Sequence, residues 1–135
     1  MRMVGRNFST GVEIPDNIAF ISWKVGNSDA TLVIADFYSR ANGAIEVVFK
    51  PRPLAYRSMD EGSWLSMYWP PDENDFPLKP VILIEKGSDF LTWLPGYCEE
   101  EFADRDLLHL MFITMDDVLE VLCDEMPTFR KVPLK

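Results

Sequence analysis

The sequence of 135 residues is poor in the residues that most often build catalytic and metal sites. It contains one histidine, His109, two cysteines, Cys98 and Cys123, and seven glycines that stand apart from one another. A single histidine excludes zinc and hydrolase motifs that need two, and the glycines form neither a dinucleotide-binding nor a P-loop pattern. The cysteines do not form a CxxC pair, so neither a redox motif nor a zinc ribbon is indicated. We therefore expect no cofactor and no metal ion.

Long apolar runs and the pattern of a secretory signal are also lacking. Uncharged apolar runs such as Leu107–Ile113 are much shorter than the roughly 20 residues that a helix needs to cross a bilayer. No apolar stretch follows the charged residues of the N-terminal MRMVGRNFS, which argues against export. In such a chain one pair of cysteines favours two reduced thiols over a disulfide. We expect a cytoplasmic protein that does not bind membranes.

Basic residues are scarce in the second half of the chain. Residues 59–126 contain seventeen acidic residues against three basic ones, a net charge of −14. Residues 1–58 have a net charge of +2 and the last nine residues +3, within a total of −9. Nucleic acids and anionic lipids select for lysine and arginine, so direct binding to either is not expected. An uneven negative field of this kind favours a basic protein as the partner.

The order of strand and turn patterns predicts one α+β domain over residues 1–135, built mainly on an antiparallel meander of about five to six strands. Apolar alternation and β-branched residues predict the strands, which are Ile18–Val25, Ala30–Tyr38, Ala44–Lys50, Trp64–Trp69 and Val81–Ile84. Asn42-Gly43 is a hairpin signal, and Pro51-Arg52-Pro53 ends the first group of strands. In the first strand the alternation places Ala19, Ile21, Trp23 and Val25 on one face.

One or two helices are predicted in the C-terminal half. Ser88 is suited to cap a short helix over Asp89–Leu94, which Pro95-Gly96 would end. Thr114 and Asp117 resemble a capping box, and the apolar residues of Met115–Met126 follow helical spacing. Leu107–Ile113 fits either a strand or the start of that helix, and we favour a strand.

The predicted second helix presents an acidic line at a spacing of four residues, formed by Asp116, Glu120 and Asp124. Like charges at this spacing cost a helix roughly 0.2–0.5 kcal/mol per pair. A basic partner would offset that cost, which makes the line a candidate binding surface. The alternative is a solvated face that Arg130 and Lys131 neutralise.

A second candidate surface is the proline-bounded loop Trp69–Pro77. Its aromatic residues would anchor a partner and its carboxylates would steer and pair with basic groups, and these residues are Trp69, Asp72, Glu73, Asp75 and Phe76. The alternative is that both rings pack in the core and the carboxylates are merely solvated.

His109 lies within the apolar sequence Leu-Leu-His-Leu-Met, which favours a buried structural histidine over a catalytic base. A dyad of His109 with a serine or cysteine stays open. The sequence therefore predicts a small acidic protein-binding module, most simply an inhibitor of the immunity-protein or phage type that occludes a basic site on a toxin, a nuclease or a nucleic-acid-binding protein. The alternatives are a subunit of an oligomeric assembly and, third, an enzyme that works through carboxylates.

Overall fold

The computed structural model describes residues 4–60, 79–86, 88–93 and 107–133. These residues form nine strands, which are β1 (Val4–Arg6), β2 (Ile18–Val25), β3 (Ala30–Asp36), β4 (Ala44–Phe49), β5 (Ala55–Asp60), β6 (Val81–Lys86), β7 (Leu108–Ile113), β8 (Asp117–Cys123) and β9 (Thr128–Val132). A five-stranded sheet has the order β1-β6-β7-β8-β5, and a four-stranded sheet has the order β2-β3-β4-β9. All pairings within these sheets are antiparallel.

The prediction of an α+β fold, with one meander of about five to six strands and helices in the C-terminal half, is wrong, because the described residues form nine strands in two sheets. Over the described residues the chain is mostly antiparallel β-structure, with one 3-10 turn at Arg40–Asn42 and one short helix, α1, at residues 89–93. The segment predicted as the second helix contains β8, which lies between β7 and β5. Ser88 does cap α1 as predicted, because its hydroxyl accepts the backbone N–H of Leu91 at 2.9 Å.

Strand β8 is apolar on both of its faces, and this explains the error. Leu119, Val121 and Cys123 pack between the two sheets, while Val118 and Leu122 pack on the outer face of the five-stranded sheet. A nearly continuous apolar run satisfies the spacing of a helix and that of a strand buried on both faces equally well. Periodicity alone therefore could not decide between them.

The side-chain hydrogen bonds predicted at Thr114 do form, but they close a turn between β7 and β8 and do not begin a helix. The Thr114 hydroxyl accepts the N–H groups of Asp116 and Asp117 at 3.1 and 2.8 Å, and it lies 2.9 Å from the Asp117 carbonyl oxygen, to which it donates. Threonine at a helix N-cap binds the N–H three residues later in the same way. The local bond is the predicted one, whereas the chain that follows it is extended.

A bulge in β2 changes which of its residues face the core. The register with β3 shifts between Phe20 and Ser22, so the inward side chains are Ile18 and Phe20 before the bulge and Trp23 and Val25 after it. The predicted inward face was therefore right for Trp23 and Val25 and wrong for Ala19 and Ile21. An extra residue in one strand reverses the alternation beyond it.

The other strand predictions in the described residues are confirmed with small changes of boundary. The Asn42-Gly43 signal lies where β3 returns to β4, and Gly43 has a φ of +84° with the Val132 carbonyl oxygen 2.9 Å from where a Cβ would stand. Only glycine fits that conformation and that contact. Leu107–Ile113 is the strand β7, β6 lies between two neighbours, and Trp64–Trp69 lies outside the described residues.

The main core lies between the two sheets. Ring contacts cross it, with Phe49 against Phe112 at 6.2 Å and Phe112 against Phe129 at 6.5 Å between centroids. On the outer face of the five-stranded sheet, Phe90 of α1 packs with the buried Leu122. Helix α1 therefore covers part of the face that carries the polar residues described next. Within the described residues no helix has the length and apolar character needed to span a membrane.

Candidate functional site

Two polar side chains are buried on the outer face of the five-stranded sheet, one on each of its neighbouring strands β7 and β8. His109 is 0% exposed and Glu120 is 1% exposed. The register places Glu120 opposite Met111 on one side and opposite Arg57 of β5 on the other. Burying such groups is costly unless hydrogen bonds compensate. The partners of the two groups therefore define the site.

The partners form a continuous chain from the interior to the start of α1. The Ser88 Oγ lies 2.7 Å from His109 Nδ1, and His109 Nε2 lies 2.8 Å from Glu120 Oε1. Since a carboxylate only accepts hydrogen bonds, a neutral imidazole donates its Nε2 proton to Glu120 and accepts the Ser88 hydroxyl proton at Nδ1. We refer to these three residues as the Ser88–His109–Glu120 chain.

Arg57 holds the inner end of this chain. Its guanidinium donates to both oxygens of Glu120, with Nε 2.7 Å from Oε2 and Nη2 3.0 Å from Oε1. The same Nη2 lies 2.8 Å from Asp89 Oδ1 at the first turn of α1. The guanidinium carbon lies 4.4 Å from the ring centroid of Phe90. Bidentate pairing and stacking of this kind fix the carboxylate in place and join α1 to the sheet.

The charges of this cluster keep Glu120 ionised although it is buried. Burial alone would raise the pKa of Glu120, but hydrogen bonds from His109 and Arg57, together with the positive charge of Arg57, outweigh it and lower that pKa below its usual value. Burial alone would lower the pKa of Arg57, and Glu120 and Asp89 raise it instead. Both groups therefore carry their charges at neutral pH.

Cys123, at the end of β8, is a buried thiol without reactive character. It is a free cysteine, as the sequence predicts, and Cys98 lies outside the described residues. Burial raises the pKa of Cys123 to about 12, and the charge of Asp124 acts in the same direction. A nucleophilic cysteine needs a lowered pKa.

In chemical terms the Ser88–His109–Glu120 chain contains a hydroxyl, a base within hydrogen-bond reach and a carboxylate that orients the base. These are the three parts of an activated nucleophile. His109 is buried as the sequence predicts, and Ser88 is the residue that could complete a dyad with it. The role of Glu120 was missed, because the predicted helix placed it on an exposed acidic line as a candidate partner-binding residue. Its correct position required knowing that residues 117–123 form a strand beside His109.

A second candidate site is an exposed cluster of large side chains at one end of the two sheets. Phe37, Tyr38 and Met115 are 40%, 71% and 46% exposed. Tyr38 Oη lies 3.7 Å from Met115 Sδ, and the rings of Phe37 and Tyr38 meet edge to face at 5.0 Å between centroids. Asp116 and Asp117 are exposed and follow Met115 directly. We call these five residues the Tyr38 patch.

Backbone contacts fix both segments of the Tyr38 patch. Asp36 Oδ1 accepts the N–H groups of Tyr38 and Ser39 at 2.8 and 3.3 Å, and the Phe37 N–H binds the Asn17 carbonyl oxygen at 2.9 Å. The other segment is held by the Thr114 turn, and an isolated bridge joins Ile18 to Thr114. The β5–β8 register also brings Asp60 opposite Asp117. The patch is therefore an aromatic and acidic surface on a fixed backbone.

The predicted acidic line on the second helix does not form. Asp116 lies in the turn before β8, Glu120 is buried within the strand, and Asp124 is half-buried just beyond its other end. An extended strand rises about 3.3 Å per residue, so Asp116 and Asp124 are separated by most of the length of β8. Of the three, only Asp116 belongs to the Tyr38 patch. The predicted loop residues Trp69, Asp72, Glu73, Asp75 and Phe76 lie outside the described residues, and their role stays a prediction.

Comparison with models of protein families, with curated proteins and with solved structures finds no match to this chain.

The structure also contains an open cleft of about 360 Å³ beside the end of β3, with Glu13, Asp36 and Lys131 in its lining. Asp36 already accepts two backbone N–H groups there. Within residues 4–60, 79–86, 88–93 and 107–133 no group of three histidine, cysteine, aspartate or glutamate side chains is arranged to hold a metal ion. The two candidate sites are therefore the Ser88–His109–Glu120 chain and the Tyr38 patch.

Proposed function

We propose that the chain is a small cytoplasmic protein-binding module that occludes a basic site on a partner protein. In this proposal it acts as an inhibitor of the immunity-protein or phage type. Its target would be a toxin, a nuclease or a nucleic-acid-binding protein, and it would contact neither nucleic acid nor membrane itself. The observation that carries the proposal is the Tyr38 patch, where exposed aromatic and sulfur-containing side chains adjoin exposed carboxylates.

The aromatic part of the patch suits an anchor for a partner. Tyrosine contributes a large contact area with few rotatable bonds, and such residues dominate the binding energy of many interfaces. The bonds from Asp36 already fix the backbone at Tyr38, so little conformational freedom remains to be lost on docking. Tyr38, at 71% exposed, would bury most of its ring in a complex.

The carboxylates suit the recognition of arginine in particular. A guanidinium can stack on an aromatic ring while it pairs with a neighbouring carboxylate, and the patch offers both groups side by side. The exposed carboxylates of Asp116 and Asp117, with Asp60 opposite Asp117, would attract a basic partner to this patch. The loop Trp69–Pro77 stays a separate predicted contact surface for the same partner.

The test is calorimetric titration at 50 and 300 mM NaCl against two partners. One is a deca-arginine peptide, and the other is a basic protein encoded beside the gene of this chain. We expect Y38A to weaken binding by about 30-fold, as for an interface residue worth about 2 kcal/mol. We expect D116K to weaken binding about tenfold, with most of that loss disappearing at the higher salt concentration.

The matched control is E125K, which makes the same charge change in the turn after β8, at the far end of that strand from Asp116. It should weaken binding much less than D116K. If D116K and E125K have equal effects and Y38A has none, net charge alone attracts the partner and the proposed surface is wrong. Binding that ignores both salt and charge reversal would remove the proposal altogether.

A further inference from the structure

We propose that Ser88 is an activated nucleophile that accepts an acyl or phosphoryl group from small substrates with an acidic leaving group, such as acyl phosphates and activated esters. This is a second activity, and it does not depend on the Tyr38 patch. The observation that carries it is the Ser88–His109–Glu120 chain, in which a hydroxyl, an imidazole and a carboxylate follow one another at 2.7 and 2.8 Å.

Each member of the chain has the geometry that its role requires. His109 Nδ1 faces the Ser88 hydroxyl and is placed to take its proton as the base. Glu120 binds the opposite ring nitrogen, which fixes the orientation and the tautomer of the imidazole. Because Arg57 and His109 keep Glu120 ionised, a negative charge stands beside the imidazolium that forms when Ser88 reacts.

The free-energy cost of burying His109 and Glu120 also favours a chemical role for the Ser88–His109–Glu120 chain. Replacing a buried ionic cluster by well-packed apolar residues of similar volume is often neutral or stabilising, so stability alone does not require polar groups at positions 109 and 120. The helix cap does not explain the cluster, since asparagine, aspartate or threonine at position 88 would also cap α1. The outer face is otherwise apolar around these residues, with Ile82, Ile84 and Met111 in the neighbouring cluster.

The exposure of the three residues defines the class of substrate. Ser88 is half-buried and is the member of the chain that solvent reaches, whereas His109 is completely enclosed. An enclosed imidazole can take the Ser88 proton but is poorly placed to return it to a leaving group. The leaving group must therefore depart as a stable anion, as phosphate, carboxylate and phenolate do.

The first step with an acyl substrate transfers the acyl group to Ser88. The Ser88 Oγ forms a bond to the carbonyl carbon, and its proton passes to His109 Nδ1. The bond from that carbon to the leaving oxygen breaks, and the electron pair leaves with the anion. His109 keeps the proton as an imidazolium beside the carboxylate of Glu120, and the acyl group remains on Ser88 Oγ as an ester.

The test measures labelling of the full chain by a fluorophosphonate, which forms an Oγ–P bond as fluoride leaves and so needs no proton from His109. Intact mass spectrometry gives the extent of labelling and peptide mapping gives its position. We expect one label per chain at Ser88, at a rate at least about 100-fold above that of the same protein unfolded in urea, because a positioned base contributes at least that factor.

Two variants separate a nucleophile from a structural cap. S88N keeps an oxygen that can cap α1 but has no hydroxyl, so it should remain folded by circular dichroism and lose the label. S58A removes an exposed serine hydroxyl of β5 and should label as the original protein does. Folded protein in which Ser88 labels no faster than in urea, or in which the label lies on another residue, would overturn the proposal. Either result leaves binding through the Tyr38 patch unaffected.

Discussion

At the scale of single residues, burying the carboxylate of Glu120 costs free energy, and hydrogen bonds from Arg57 and His109 offset that cost. Both of its oxygens accept from Arg57, and Oε1 also accepts from His109. Replacing it by glutamine keeps the volume but removes the charge, so Arg57 loses one of the carboxylates that pair with it. Breaking a buried pair by removing one partner costs about 3–5 kcal/mol. We expect E120Q to lose that much stability at pH 7 in urea unfolding, while E125Q, at an exposed position, should change little.

The pH dependence of that loss has a definite sign. The pKa of Glu120 is lowered in the folded protein, so its ionised form stabilises folding above the unfolded pKa of about 4.3. That stabilisation disappears as the pH falls through the lower, folded pKa. The stability difference between the original protein and E120Q should therefore be largest near neutral pH and should narrow below about pH 4. A difference that stayed constant down to pH 3 would show that Glu120 acts through packing alone.

At the scale of elements, the turn between β7 and β8 depends on one hydroxyl. Thr114 is 7% exposed, and its Oγ1 accepts from Asp116 and Asp117 while donating to the Asp117 carbonyl. T114V keeps the shape but removes the acceptor of the Asp116 and Asp117 N–H groups, at about 1–3 kcal/mol, while the Asp117 carbonyl still accepts the Thr114 N–H at 2.8 Å. Urea unfolding should show this loss with an unchanged m-value. T128V, at an exposed position of β9, is the control and should stay within about 0.5 kcal/mol of the original. Equal stability of the two variants would mean that water replaces the hydroxyl.

The same element shows how far sequence patterns could predict this fold. Alternation and the Asn42-Gly43 signal predicted β2, β3 and β4 because these strands are joined by short connections whose chemistry is local. Strand β8 was predicted as a helix because its two apolar faces and the Thr114 hydrogen bond suit both structures. The β-branched residues Val118 and Val121 favour a strand, and they are the signal that could have changed the assignment.

Whether the candidate sites could be predicted also depended on assigning β8 as a strand and not as a helix. Ser88 was predicted as a cap and His109 as a buried residue, and both predictions are confirmed. Their contact joins residues 21 positions apart, and that of His109 with Glu120 follows from the β7–β8 register. Because β8 was predicted as a helix, Glu120 was predicted on the surface, whereas it lies in the interior. The Tyr38 patch was not predicted, since residues 38 and 115 meet only through the way the two sheets are placed.

At the scale of the whole molecule, long-range pairing decides what the surface presents. Strand β1 pairs with β6, β4 with β9 and β5 with β8, so three of the seven strand pairings among the described residues join strands that do not follow one another in the sequence. These pairings bring Arg57, from the basic first half, into the acidic second half. The uneven charge of the sequence is thus partly neutralised inside the fold. What remains for a partner is the exposed set of carboxylates, and Asp116 and Asp117 are the ones that belong to the Tyr38 patch.

This distribution of charge predicts the oligomeric state. A symmetric dimer through the Tyr38 patch would place Asp116 and Asp117 of one copy close to those of the other, and opposed like charges of this kind cost several kcal/mol. We therefore expect size-exclusion chromatography with light scattering to give the mass of one chain at 50 mM NaCl. At 500 mM NaCl the repulsion is screened over about 4 Å, and weak self-association through Phe37, Tyr38 and Met115 is the only change expected. A stable dimer at low salt that Y38A converts to a monomer would support the alternative, a subunit of an assembly, because the patch would then be occupied by a second copy of the chain.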